Sequence, residues 1–312
     1  FISLLGRGVR QVNDVGQGVV RAGWPGGGSG IVVAGAGSAP VKVVASGDAA
    51  PGGGTFTSVT GTFWRINNAA EVAFVGTTSL GATGIFVASP GGSGYTVAKV
   101  VAVGDTFTGG GTFSAVYRTG AGILAFNDAG QVLFAADLSG GSANGGLFIA
   151  SAGVAPQAVA LNGTGAPSGG NYNFTAAQVD VETNNAGDIL FRAPLTGGSA
   201  DSGLFLRRGG SPTIETVAVQ GQAAPGTAGA FPVINETFNL IPGELLALGP
   251  DGAVAFFNHV DIGGVYAVGL FRYRTDGTLE LLALRGDPMP DGRPGVVGAL
   301  SQGPGAGTAG RF

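Results

Sequence analysis

The sequence predicts an all-β protein, a β-propeller of about five four-stranded blades. Three observations predict it. Four motifs return in fixed order along the 312 residues, turn-forming residues hold the same place in each copy, and the apolar runs between them are too short for helices. Internal repetition is weighed first, because it sets the architecture.

The first motif is a turn that runs into a strand. It reads Asn13-Asp-Val-Gly16, Asn67-Asn-Ala-Ala70, Asn127-Asp-Ala-Gly130, Asn184-Asn-Ala-Gly187 and Gly249-Pro-Asp-Gly252, and its strands reach Val20, Phe74, Phe134, Phe191 and Phe256. Asn and Asp side chains bond their own backbone and Gly accepts positive φ, so each copy opens a hairpin. The second motif follows a Gly/Ser/Ala-rich gap: Gly30-Ile-Val32, Gly84-Ile-Phe86, Gly146-Leu-Phe148, Gly203-Leu-Phe205 and Gly269-Leu-Phe271. The third is a short apolar strand, from Val41 to Asp48, Ala98 to Asp105, Gln157 to Asn162, Glu215 to Gln222 and Glu280 to Asp287. The fourth is a Gly/Pro loop entering a strand with Phe, as in Gly52-Gly-Gly-Thr-Phe56 and Gly109-Gly-Gly-Thr-Phe113. The motifs recur every 54 to 66 residues. Each repeat therefore offers four short strands, which make one blade. A β-solenoid-like repeat array is the alternative, although its coils usually repeat every 20 to 30 residues or so.

One tandem-repeat domain is expected over 1–303, with repeats near 1–50, 51–107, 108–164, 165–224 and 225–290, a spare strand in 291–303 and a Gly-rich tail over 304–312. The spare strand follows from alignment. Phe1-Ile-Ser-Leu-Leu5 and Val296-Val-Gly-Ala-Leu300 both match the strand that opens a repeat, such as Phe113-Ser-Ala-Val-Tyr117.

Composition supports order. Gly is about a fifth of the chain (62 residues) and charged residues only 11%, against about 7% and 25% in ordinary proteins. Yet 44% of residues are hydrophobic, 19 of them Phe, far more apolar mass than a disordered chain carries. A net charge of −4 with 15 basic residues and no basic cluster excludes nucleic acid as a partner. The same poverty excludes a basic membrane-surface role, and no apolar run reaches a spanning length of about 18 residues. Without Cys there is neither a disulfide framework nor a thiolate metal site. The chain begins at Phe1 without signal-peptide regions, so an export signal is expected to have been removed.

The quoted motifs resemble the bacterial choice-of-anchor tandem-repeat proteins, described by an Asn-x-x-Gly-x-x-Ala-Phe signature. The stretch from Gly47-Asp48 to Phe56 strengthens the resemblance, which covers nearly the whole chain. It implies export and attachment at the cell surface through varied C-terminal sorting signals, and implies no activity. Val20 in place of Phe, Ala70 in place of Gly and Gly249 in place of Asn depart from the signature, and no anchor segment follows residue 300.

Residues able to carry chemistry are few. His259 is the only histidine, with Asp261 two residues away, and no Gly-x-Ser-x-Gly elbow accompanies it. It reads as a structural or surface residue. Glycoside hydrolysis needs two carboxylates at a set separation. Asp137, Asp180, Glu182, Glu236 and Glu244 lie outside the turns but form no evident pair. Asp48, Asp105 and Asp287 recur at one place in the repeat. They could form a partial ring that binds calcium or sugars, or each could cap its own turn. Gln222 at the matching place, and Asn162 near it, keep the hydrogen bonding without the charge, which favours capping. Gly305-x-Gly307-x-x-Gly310 lacks the strand and helix of a dinucleotide site. Asn162, Asn173 and Asn235 head glycosylation sequons. Trp24, Trp64, Tyr95, Tyr117, Tyr172 and Tyr266 are candidates either to stack on sugar rings or to pack in the core.

The resulting expectation is a non-catalytic, exported structural or adhesive protein of the bacterial surface or extracellular matrix, with no cofactor. It would assemble into filaments by strand addition through Phe1, Ile2, Leu4, Leu5, Val296, Val297 and Leu300. Its partners would be further copies, other surface proteins or glycans, with no nucleic acid and no membrane insertion. A glycan-binding propeller lectin is the alternative reading, and a propeller glycoside hydrolase comes third.

Overall fold

The computed structural model describes residues 3–4, 12–24, 28–92, 94–116, 123–174, 180–234, 246–288 and 296–297. Among them every regular element is a β-strand, and the strands form five antiparallel sheets. The first sheet is β1 (Ser3–Leu4), β2 (Gln17–Trp24), β3 (Gly28–Gly35) and β4 (Val41–Ala45). The second is β5 (Phe56–Ile66), β6 (Val72–Thr78), β7 (Thr83–Gly91) and β8 (Gly94–Ala102). In the third, β9 (Thr112–Ala115) and β10 (Ile123–Phe126) both pair with β11 (Val132–Ser139), followed by β12 (Gly145–Ala150) and β13 (Gln157–Leu161). The fourth repeats that pattern with β14 (Asn171–Tyr172), β15 (Val181–Thr183), β16 (Ile189–Thr196), β17 (Ser202–Arg207) and β18 (Ile214–Val219). The fifth is β19 (Leu246–Leu248), β20 (Val254–Ile262), β21 (Val265–Tyr273) and β22 (Leu279–Leu284). Each sheet is one sequence repeat folded as a meander. Among the described residues no strand of one repeat pairs with a strand of another. The ladder of a β-solenoid, in which successive coils share a sheet, is therefore not the pairing found here. No described helix is long and apolar enough to cross a membrane.

The chain forms two compact units, Phe1–Asn162 with the first three sheets and Gly163–Phe312 with the last two. Inside the first unit the strand period of two splits each central strand between two cores. Val72, Phe74, Phe86 and Ala88 turn to the first sheet, where they meet Val19, Ile31 and Val33. Their neighbours Ala73, Val75, Ile85 and Val87 turn to the third sheet and meet Phe113, Phe134 and Phe148. Burial on both faces explains why these strands read as continuous apolar runs and not as alternation. In the second unit, Leu190, Leu204 and Leu206 of the fourth sheet pack against Phe231, Phe256 and Phe271 of the fifth.

One aromatic triad recurs in these interfaces. Loop and second-motif rings meet edge-to-face in Phe56–Phe86 at 5.0 Å, Phe113–Phe148 at 5.2 Å, Tyr172–Phe205 at 5.2 Å and Phe231–Phe271 at 5.0 Å. First- and second-motif rings lie closer to parallel, as in Phe74–Phe86 at 5.7 Å and Phe256–Phe271 at 5.6 Å. Each such pair adds about 0.5–1.5 kcal/mol beyond the area it buries. Opposite the second motif the neighbouring strand carries a β-bulge in all five sheets, at Ile31/Val32, Ile85/Phe86, Leu147/Phe148, Leu204/Phe205 and Leu270/Phe271. The residue left over on the partner strand is Val43, Val100, Val159, Val217 or Leu282. The first four are buried, whereas Leu282 in the fifth sheet is 47% exposed.

The Asn turn joins one sheet to the next. The buried Asn67 accepts the Glu71 N–H through Oδ1 at 2.9 Å. Its Nδ2 donates to Glu71 Oε2 at 2.8 Å and to the Asn127 carbonyl of the following sheet at 3.2 Å. Asn13 makes the same set with Gln17 and the Asn67 carbonyl, and Asn184 with Asp188 and the Gly249 carbonyl. The Asn of the signature is thus a staple between repeats. Where Gly249 removes it, Arg208 donates to the Gly252 carbonyl at 2.6 Å and secures that turn from the fourth sheet.

Candidate functional site

The carboxylates that recur with the repeat are used by the fold. Asp48 accepts the Ala45 N–H at 2.9 Å, Asp105 that of Ala102 at 2.8 Å and Asp287 that of Leu284 at 2.7 Å. Gln222 does the same for Val219 at 3.0 Å, without a charge. Asp48 and Asp105 also meet Lys42 and Lys99 in solvent-exposed ion pairs. Each of the three therefore caps its own turn, and the structure does not gather them into a cation site. Among the described residues no group of three or more His, Asp or Glu side chains is placed to hold a metal.

Other candidates are also placed. Asp180 pairs with Arg192 at 3.7 Å, both largely buried. Asp137 and Glu182 sit within the sheets, opposite Gly145 and Leu190. Glu236, Glu244, Asn235 and Tyr117 lie outside the described residues, as does the Trp24 side chain. Trp64 and Tyr172 are core residues, and Tyr95 donates to the Ala70 carbonyl at 3.1 Å. Of the sequon residues, Asn162 donates to Asn144 Oδ1 at 2.8 Å and Asn173 is half-buried. Gly305 to Gly310 lie outside the described residues.

What remains converges on the end of the fifth sheet. Gly263 and Gly264, with φ of 65° and 89°, close the β20–β21 hairpin in a turn that requires positive φ at both central positions. That turn sets the register Ile262↔Val265, Asp261↔Tyr266 and His259↔Val268. Val265 and Tyr266 stand out at 68% and 56% exposure. The tip is held from behind by the loop that precedes the fifth sheet. Asp261 and Ala230 exchange both backbone hydrogen bonds, at 2.9 and 3.1 Å. Gly229 comes so close that a Cβ there would strike the Asp261 carbonyl and the Val260 side chain. The Asp261 carboxylate accepts the Gly264 N–H at 2.7 Å, and Tyr266 is its cross-strand partner, with the two Cβ atoms about 5 Å apart. Burial holds the imidazole of His259, two residues from Asp261, below its usual pKa.

On the other side of Tyr266, β22 runs on into Arg285, whose N–H donates to the Val268 carbonyl at 2.9 Å. The residue at this place in two other sheets turns its side chain to the matching hairpin tip: Asn162 to Asn144, and Gln220 to the Asp201 N–H. Arg285 is exposed and has no acidic partner among the described residues. Asp261, Tyr266 and Arg285 therefore follow one another across the end of this sheet, an acidic and a basic residue on the strands either side of an aromatic one. The sequence reading noted Asp261 only for its nearness to His259, and did not single out Arg285. The Gly263-Gly264 pair was the available signal, since a two-residue hairpin turn pairs Asp261 with Tyr266 by counting outward.

Comparison with known proteins shows the family. The sequence model of the family described as "Family of unknown function (DUF7453)" matches residues 4–197 and again 81–305. The chain belongs to that family. Overlapping matches are what a chain of equivalent units gives, because the same model aligns to it in more than one register. No curated protein matches. A solved structure similar to this chain is that of a thermostable family-43 glycoside hydrolase, with 14% identity over 94% of this chain and 96% of that chain and a TM-score of 0.29. A likeness at that level carries no argument about activity.

The expectation of an exported structural or adhesive protein that polymerises through its end strands is corrected. The family that the chain belongs to is one of unknown function and supplies no structural or adhesive role. The strands meant for exchange are also paired at home. Leu4 lies opposite Ala22 within the first sheet. Val297 accepts the Gly286 N–H at 2.9 Å and donates to the Asp287 carbonyl at 2.7 Å, which is how Phe56 pairs with Gly47 and Asp48, and Val296 bridges Pro288. Phe1, Ile2, Leu5 and Leu300 lie outside the described residues.

Proposed function

We propose that the chain is an exported five-bladed β-propeller that binds glycans through the end of its fifth sheet and does not cleave them. The recurrence of one four-stranded meander per repeat, with one aromatic interface between successive sheets inside each compact unit, supports the propeller. Export rests on the motif resemblance alone.

Tyr266 carries the glycan reading. It is the aromatic residue more than half exposed among the described residues, on a hairpin that the Ala230 loop holds in place. A pyranose offers an apolar C–H face to such a ring and hydroxyls at its edge to a carboxylate such as Asp261. A rigid platform spends little ordering entropy on binding. Binding without cleavage is favoured because seven of the described carboxylates are used within the fold, in turns (Asp48, Asp105, Asp287) or in ion pairs (Asp180, Asp188, Glu215, Glu280).

A glycan array with the purified protein tests this, followed by titration calorimetry on its best ligand. Tyr266→Ala is expected to weaken binding about tenfold or more, the scale of one aromatic contact. A folded protein that binds no glycan, or binding that Tyr266→Ala leaves unchanged, overturns the reading. Release of reducing sugar would make the chain a hydrolase instead.

A further inference from the structure

We infer that the end of the fifth sheet takes a carboxylated saccharide, one containing a uronic acid, with Arg285 as the group that receives the charge; this rests on the glycan-binding reading above. The inference starts from a departure in the repeat. The place of Arg285 is held elsewhere by Ser46, Val103, Asn162 and Gln220, none of them charged. Three of these serve the fold: Ser46 donates to the Thr57 carbonyl, Asn162 to Asn144 and Gln220 to the Pro232 carbonyl. In the fifth sheet the matching tip residue is Ala267, where the third and fourth sheets have Asn144 and Asp201. Ala267 offers no side-chain acceptor of the kind Asn144 gives Asn162, and a guanidinium cannot accept a backbone N–H as Gln220 does, so both local uses of this position are gone while a cation stands in its place.

Four other arginines of this sheet and of the fourth have acids within the fold. Arg192 meets Asp180 at 3.7 Å, Arg208 meets Glu215 at 3.3 Å, and Arg272 and Arg274 share Glu280. Arg285 has no such acid among the described residues. Two residues along the sheet and one strand over, it lies about 7–8 Å from Tyr266 at Cα, within reach of a sugar stacked on the ring. A guanidinium binds a carboxylate through two parallel hydrogen bonds, which no neutral sugar substituent reproduces. Asp261 on the opposite side repels an anion and accepts hydroxyls, so the pair orients the ligand one way across the ring.

The test is an array of oligouronides printed beside their carboxyl-reduced counterparts and sulfated neutral glycans, probed with the full chain. Wild type is expected to bind uronides about tenfold or more tightly than the reduced forms, less so at high salt. Arg285→Gln should erase that preference, Arg285→Lys should keep part of it, and Tyr266→Ala should remove binding to both. Unfolding curves matching wild type show that the variants fold. Equal binding of reduced forms, a stronger response to sulfated glycans, or a preference that survives Arg285→Gln overturns the carboxylate assignment and leaves the glycan reading standing. Binding to none of the three kinds defeats the glycan reading, and this inference with it.

Discussion

Two residues break the repeat at a cost the other copies avoid. Ala70 has φ of 59°, where Gly16, Gly130, Gly187 and Gly252 have φ between 71° and 82°. An L-residue in that region costs about 1–2 kcal/mol. Ala70→Gly is therefore expected to stabilise the protein by about 0.5–1 kcal/mol in urea unfolding, after the entropy Gly loses on folding. Tyr172 stands where Phe56, Phe113 and Phe231 stand, is 2% exposed, and its hydroxyl has no partner among the described residues. Burial raises its pKa far above the usual phenol value. An unsatisfied buried hydroxyl costs about 1–3 kcal/mol. Tyr172→Phe should raise the urea midpoint, and Phe113→Tyr should lower it. A Tyr172→Phe variant less stable than wild type would mean that the hydroxyl is satisfied, by water for instance.

At the scale of the element, the Asn turn separates two neighbouring asparagines. Asn67 is 3% exposed and uses its whole amide within and between sheets. Asn67→Ala leaves buried groups unpaired on two sheets and should cost about 3 kcal/mol or more. Asn68 is exposed, and its amide donates to Asp14 at 2.9 Å and Asp128 at 3.0 Å. Asn68→Ala should cost about 1 kcal/mol or less, and Asn68→Asp more than Asn68→Ala, because it lines up three carboxylates. Comparing the three denaturation midpoints checks the order. The second motif makes a parallel demand for Gly. A Cβ at Gly146 would meet the Ala160 carbonyl and the Leu161 Cα, both backbone atoms that cannot swing away. Gly146→Ala should destabilise by about 1–3 kcal/mol.

For the whole molecule, His259 supplies a pH dependence that no other side-chain type can imitate near neutrality, because it is the only histidine. Burial lowers its folded pKa below the unfolded value of about 6.5. Between those two values the unfolded chain binds the proton and the folded chain does not, so stability rises with pH there. Melting temperature should fall as pH drops through about 6.5 and level off below the folded pKa. His259→Gln should flatten that segment, and an unchanged slope would place the titration elsewhere.

The sequence by itself determined the all-β class, the repeat and its four strands, and the turns. These follow from local chemistry: Asn and Gly at turn positions, and apolar runs of strand length, act over a few residues and are legible as they stand. It also favoured the capping role of Asp48, Asp105 and Asp287, because Gln222 does the same work without charge. Only the tertiary structure decided that Val296 and Val297 pair with their own preceding turn, that Asn67 reaches across to Asn127, and that Tyr266 is exposed while Tyr172 is buried. It alone put Arg285 beside the hairpin of Asp261 and Tyr266, since that neighbourhood runs through the register of β21 with the chain leaving β22. The physical reason is distance along the chain. A turn is chosen by the residues that form it, whereas burial and cross-strand neighbours depend on partners roughly ten to sixty residues away, and nothing in the local sequence names them.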